Sequence, residues 1–125
     1  MDPKVKEITR YEGVTTIISW GSSEEPNARA TWNTYLQFKD DNKILIPVAG
    51  FTSIQQDVKV NDTVKLLFGT TEIEGMNGYK GGTGYLLKGR AEFIESGEDF
   101  DKIKEDYQWI NKVMVITVED TKQLI

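Results

Sequence analysis

Along this chain the apolar positions fall mostly in short runs of β-branched residues cut by polar turns, the pattern of a β protein. Six segments read as strands: "GVTTIISWG" over 13–21, "ARATWNTYLQFK" over 28–39, "KILIPV" over 43–48, "TVKLLFGTTEI" over 63–73, "YLLKGRAEFIE" over 85–95 and "KVMVITVED" over 112–120. Val, Ile and Thr dominate them because branched side chains suit a pleated surface. "KDDNK" marks a turn, so the second and third segments form a hairpin. Gly89 inside the fifth predicts a bulge. Three shorter stretches carry helical spacing. Asp2 as N-cap with Pro3 at the first helical position opens one over 3–11. Phe51, Ile54 and Val58 define another over 51–60. Ser96 and Asp99 resemble a capping box before a third, whose Phe100, Ile103 and Tyr107 share a face and which ends at Trp109 and Ile110. These helices are too few for parallel βαβ units. The expected architecture is mainly β: one domain over 1–125, six antiparallel strands in a closed or nearly closed barrel, with two or three short helices at its ends.

One segment departs from ordinary patterning. In 28–39, Ala30, Trp32, Leu36 and Phe38 alternate with Thr31, Asn33, Tyr35 and Gln37. A half-buried strand normally sets charges on its wet face, whereas here that face is neutral and hydrogen-bonding. It is either simply solvated or turned towards something bound.

Composition narrows the chemistry. With 125 residues, 38% apolar and 28% charged, the chain has the balance of an ordinary globular domain. No apolar run reaches the ~20 residues of a membrane span, and the polar N-terminus lacks a signal-peptide core. A cytoplasmic protein that meets neither membrane nor nucleic acid is expected, since the net charge of −5 opposes phosphate backbones. Cys and His are both missing. Disulfides, Cys/His zinc sites, thiolate nucleophiles and His-based acid–base catalysis are therefore excluded, and no metal site is expected. Redox work here would require an organic cofactor.

Four stretches could carry a ligand, each with a plainer alternative. The neutral face of Thr31, Asn33 and Tyr35 is one. "PVAGFTS", 47–53, is a strand-to-helix turn whose free N–H groups and hydroxyls suit an anion, although Thr52 could equally be an N-cap. "GMNGYKGGTG", 75–84, holds five of the eleven glycines. It lacks the Gly-Lys-Ser/Thr ending of a phosphate loop and reads as a flexible hairpin connection, or as backbone open to a flat ligand. Trp109 caps either a core, a ligand or a partner subunit.

In their order along the chain, "EGV" at 12–14, "TWNTYL" at 31–36, "IPVAG" at 46–50, "NG…GGTGYL" at 77–86, Trp109 and "VITV" at 115–118 resemble the FMN-binding split-barrel family of the pyridoxamine 5'-phosphate oxidase-like type, in particular its small bacterial FMN-binding proteins. The resemblance runs from about residue 12 to the C-terminus. It implies a split barrel that dimerises with itself and holds two FMN molecules at the subunit interface. It places Thr31, Trp32 and Asn33 along the flavin; Thr31 and Asn33, on the polar face, are expected to matter for ligand binding more than for folding. Backbone at Pro47, Val48, Ala49 and Gly50 would meet the ring's polar edge, Gly82, Thr83 and Gly84 would lie near the ring, and Trp109 would come from the other subunit. Ala49 replaces a family glycine. A Lys-Thr pair that holds the phosphate in the family is Ser53 and Ile54 here, leaving Thr52 and Ser53 as neutral donors and Lys80, Lys88 or Arg90 as distant sources of charge. The resemblance thus implies a flavoprotein for electron transfer or flavin-dependent oxidoreduction, served by a redox partner protein or a small-molecule electron donor. The alternative is a non-enzymatic binding module of the same fold with weak or lost FMN binding. Oxidation of pyridoxamine phosphate itself ranks lower, because no second basic cluster is present for a second phosphate.

Overall fold

A computed structural model describes all 125 residues. The expected β architecture is present: one curled antiparallel sheet that closes most of the way into a split barrel. It has seven strands, β1 (Val14–Ser19), β2 (Asn27–Trp32), β3 (Gln37–Lys39), β4 (Lys43–Val48), β5 (Thr63–Thr70), β6 (Thr83–Ile94) and β7 (Lys112–Gln123), in the order β2-β1-β5-β6-β7-β4-β3. The additional strand arises because the segment expected to run unbroken over 28–39 divides. A 3₁₀ turn at Asn33–Tyr35 separates β2 from β3, which lie at opposite edges of the sheet.

Three helices complete the chain: α1 (Pro3–Ile8), α2 (Thr52–Val60) and α3 (Glu98–Asp106). Asp2 caps α1 as expected, accepting from the Lys4 amide at 2.9 Å. The other two helix starts differ from the sequence reading. Neither Thr52 nor the Ser96–Asp99 pair caps a helix: Phe51 and Gly97 occupy the cap positions, both at positive φ, without a side-chain cap. The tight reversal leaving each preceding strand requires that backbone, and it carries Ser96 away from the amides it would need.

The main core fills the barrel. Ile17, Ile44, Ile46, Leu66, Leu87, Met114 and Ile116 point inward, α1 plugs one end with Val5 and Ile8, and α2 adds Ile54. A second, smaller core packs α3 against the outer face of β4 and β7 through Leu45, Ile103, Ile110, Val113 and Val115. β4 and β7 are thus covered on both faces. The register of β6 against β7 shifts between Lys88 and Gly89, the bulge expected at this glycine.

Candidate functional site

The segment 30–35 turns its polar side inward. Trp32 is 45% exposed, while Thr31 and Asn33 are buried. Asn33 is wholly enclosed and its amide is saturated: Oδ1 accepts from Thr15 Oγ1 at 2.7 Å, and Nδ2 donates to the carbonyls of Gly69 at 3.0 Å and Tyr11 at 3.3 Å. Its backbone N–H donates to the Gly13 carbonyl at 2.8 Å. One side chain therefore ties β1, β5 and the segment before β1 at the point where β2 leaves the sheet. A buried polar group needs partners, and this is where the strand's neutral pattern finds them. Gly13 is part of the arrangement, because a Cβ there would stand 2.9 Å from Asn33 Nδ2. The sequence placed Asn33 beside Thr31 on a face serving a ligand; the structure gives it a structural role that a period-two reading misses when the strand stops at Trp32.

Tyr35, released from the strand by the 3₁₀ turn, joins an aromatic cluster. Its ring lies 5.1 Å from Tyr107 and 6.0 Å from Trp109, and Tyr107 and Trp109 meet edge to face at 6.0 Å. Burial and the neighbouring Tyr35 push the Tyr107 phenol above its ordinary pKa, so it stays protonated through the neutral range. Trp109 remains 53% exposed. Two residues on, the Asn111 amide donates to the Val48 carbonyl at 3.0 Å. The backbone just beyond Trp109 therefore runs beside the end of β4, while the Trp109 ring packs with Tyr35 and Tyr107.

In that turn Pro47 and Val48 are buried while Ala49 and Gly50 are exposed. Gly50 adopts φ +98°, and no atom lies within 4 Å of where a Cβ would stand. The backbone here is open to a planar group. Thr52 is exposed and Ser53 half-buried at the start of α2, whereas Ile54 lies wholly in the core and offers a ligand nothing.

The glycine loop is folded rather than loose. Gly82, at φ +110°, packs its Cα face on Thr70 and Thr71 so closely that a Cβ would stand 2.6 Å from the Thr70 carbonyl oxygen. Thr83 Oγ1 donates to the terminal Ile125 carbonyl at 2.9 Å, and the Leu124 amide donates to the Gly84 carbonyl at 2.8 Å. Thr83 and Gly84 line an apolar groove of about 500 Å³ with Val14, Leu67, Leu124 and Ile125, all four exposed. The sequence reading missed this groove: single apolar residues at wet positions of β1 and β5 carry no periodic signal.

The predicted residues therefore fall into separate places. Ala49, Gly50, Thr52 and Ser53 lie along the turn into α2, Trp109 lies in the aromatic cluster with Tyr35 and Tyr107, and Thr83 and Gly84, themselves buried, line the groove. Asn33 binds the strands together between Thr31 and Tyr35. Fold and surface together define the class: a small single-domain split barrel with exposed aromatic side chains. The comparisons make the family specific. The family model for pyridoxamine 5'-phosphate oxidase matches residues 1–124. A relative from Nitratidesulfovibrio vulgaris (strain DSM 19637 / Miyazaki F), named "FMN-binding protein", is 34% identical over 119 residues, 95% of this chain and 94% of its own. This chain belongs to the pyridoxamine 5'-phosphate oxidase-like family. The fold is shared with HupZ of Group A Streptococcus (TM-score 0.80, 16% identity, covering 99% of this chain and 94% of that one). It is shared also with an FMN-binding protein of Syntrophomonas wolfei subsp. wolfei (TM-score 0.76, 16% identity, covering 100% and 89%).

Proposed function

We propose that this chain is an FMN-binding flavoprotein that works as a homodimer in electron transfer or flavin-dependent oxidoreduction. The observation that carries the reading is the exposed, uncharged turn at Ala49–Gly50 leading into the first amides of α2, together with the exposed rings of Trp32 and Trp109. A 34%-identical relative named for FMN binding, aligned along nearly the whole chain, supports a flavin as the ligand.

Bound FMN would supply the redox chemistry, accepting and returning electrons one or two at a time. The protein's part is placement. Gly50 leaves empty the space where a Cβ would stand, and its carbonyl already accepts from the Gln55 side-chain amide. Trp32 and Trp109 provide large flat surfaces that shed water when covered. The first amides of α2, with the Thr52 and Ser53 hydroxyls, suit an anionic tail. No His or Cys is present to relay protons, so any proton delivery would come from Tyr, Lys, a carboxylate or water, while the protein supplies binding and electrostatics. No helix is long and apolar enough to cross a membrane.

The dimer reading rests on the groove. Val14, Leu67, Leu124 and Ile125 leave an apolar strip bare beside the glycine loop, and a second copy would cover it. Light scattering at micromolar concentration should give twice 14.2 kDa; a monomer would remove that part of the proposal. Titrating the apo-protein with FMN should quench flavin fluorescence and yield a yellow complex. A specific observation keeps the second reading alive: with Ser53 and buried Ile54 where the family holds its phosphate with Lys and Thr, the fold could serve as a binding module with weak FMN affinity. A protein that stays colourless at millimolar FMN decides for that alternative.

A further inference from the structure

We infer that the free edge of β6 at Phe93, which faces α2 across a depression of about 410 Å³, takes up an extended peptide as an added strand. The inference stands apart from the flavin reading and assigns a surface that the reading leaves unused.

Strand lengths carry the argument. β5 begins at Thr63, opposite Arg90, while β6 runs on to Ile94. On its other side β6 stays paired with β7 as far as Ile94 opposite Val113. Residues 91–94 therefore have a neighbouring strand on one side only. The chain just before β5 covers the first of them: the Ala91 amide donates to the Asp62 carbonyl at 2.8 Å, which continues the β5 register by one pair. That bond fixes the directions that follow. Along an antiparallel strand, alternate residues turn both main-chain groups to the same side. Ala91 turns towards β5, Glu92 towards β7, and Phe93 towards β5 again. In this register the residue opposite Phe93 would be Val60, which is the last residue of α2. The Phe93 N–H and carbonyl consequently meet no strand, and no main-chain group of a loop or helix bonds to them. A strand edge left bare in this way is a template for further pairing.

The surroundings suit a peptide. Val58 of α2 with Ala91 and Phe93 of β6 gives the depression an apolar floor, and helix and strand edge form its two walls. The charges at the rim select the sign of the occupant. Asp62 is held by Arg90 at 2.7 Å, and Glu95 by Lys112. Glu92 stands opposite Val115, on the face of β6 away from Phe93. Lys59, exposed in the last turn of α2, makes no ion pair and no side-chain hydrogen bond within the chain. The occupant is therefore a short extended segment of another protein. It sets an apolar side chain over Val58 and Phe93 and a carboxylate against Lys59, while main-chain bonds to Phe93 supply affinity.

The experiment titrates the protein as purified with a fluorescein-labelled, C-terminally amidated Thr-Val-Thr-Val-Glu peptide and reads fluorescence anisotropy. Its companions are the same peptide ending in Lys, the same peptide methylated on its main-chain nitrogens, and the Lys59→Ala protein. Exchange of the Lys59 side chain, which is exposed, leaves the fold intact, and a thermal melt confirms it. The Lys-ended peptide should bind about tenfold more weakly, and so should the Glu-ended peptide to Lys59→Ala, whereas the Lys-ended peptide should not distinguish the two proteins. Methylation should weaken binding about ten- to a hundredfold, because it removes the donors that meet the strand edge. Amide hydrogen exchange followed by NMR reads that edge directly. In the free protein the Phe93 amide should exchange at least about tenfold faster than those of Glu92 and Ile94, and saturating peptide should slow it about tenfold. No binding at millimolar peptide overturns the proposal, as does a Phe93 amide already protected in the dilute free protein. A methylated peptide that binds as well as its parent overturns strand addition and leaves a pocket for small apolar ligands. Protection of Phe93 that grows with protein concentration, without peptide, overturns the peptide in favour of a second copy of this chain.

Discussion

β4 and β2 are both six residues long, yet the barrel treats them oppositely. From Ile44 to Val48 every residue of β4 is buried, with β3 and β7 at its sides, the barrel core on one face and α3 on the other. β2 is an edge strand, paired only with β1, and of its six residues only Thr31 is buried. Ala28, Arg29, Ala30 and Trp32 are exposed. Edge strands in soluble proteins are usually protected by charge, a bulge or a cover. β2 instead shows a large aromatic and a single unpaired cation. The difference separates a strand enclosed within one chain from a strand left open: β4 is covered on both faces, whereas β2 keeps one edge unpaired and most of its side chains exposed.

The sharpest test of this contrast is removal of a core side chain from β4. Ile46 lies wholly inside the barrel, so Ile46→Ala should cost about 2–5 kcal/mol in denaturant unfolding through lost burial and a residual cavity. A cost below 1 kcal/mol would mean that β4 is not the anchor described.

Asn33 tests where the boundary between the two regions falls. Asn33→Ala strands the Thr15 hydroxyl and the Gly69 and Tyr11 carbonyls, and should destabilise the apo-protein by about 1–3 kcal/mol. An apo-protein as stable as wild type would return Asn33 to the ligand-facing role that the sequence suggested.

Trp32→Ala should do the reverse. Its side chain is half exposed, so apo-stability should move by no more than about 0.5 kcal/mol while flavin affinity falls measurably. If melting temperature and affinity drop together, β2 is as much a part of the scaffold as β4.

The smallest effect is a pH dependence at the α1 plug. Tyr85, buried in the core, donates its O–H to Asp2 at 2.5 Å. That bond, followed by the Lys4 amide, holds the Asp2 carboxyl below its ordinary value of 3.8. A depressed carboxylate stabilises the fold above its unfolded pKa, and the contribution is lost as pH falls through the folded value. Acid unfolding monitored below about pH 4 should therefore show one component that Asp2→Asn removes. Because Asp2 is exposed, screening keeps that component small. An acid limb unchanged in Asp2→Asn would detach α1 from the titration.

Patterning in the sequence was enough to locate β1 and β4 to β7, the hairpin into β4, the bulge at Gly89 and the three helices. Each depends on local periodicity or on a residue whose own geometry enforces it, such as Pro3 at a helix start. The ordered motifs likewise identified the family, because a binding surface of this kind reuses the same residues in the same chain order. Tertiary structure decided the rest. It broke the second segment at Asn33, since an amide bonding to three separate parts of the chain is worth more there than two further residues of strand. It folded the glycine loop against the C-terminus, where residues far apart in sequence leave no room for a Cβ. It set Trp109 beside Tyr35 within one chain and put Arg29 on the same face as buried Ile17. Alternation along a strand records which residues share a face; which face is the inside depends on what the remainder of the chain brings to cover it.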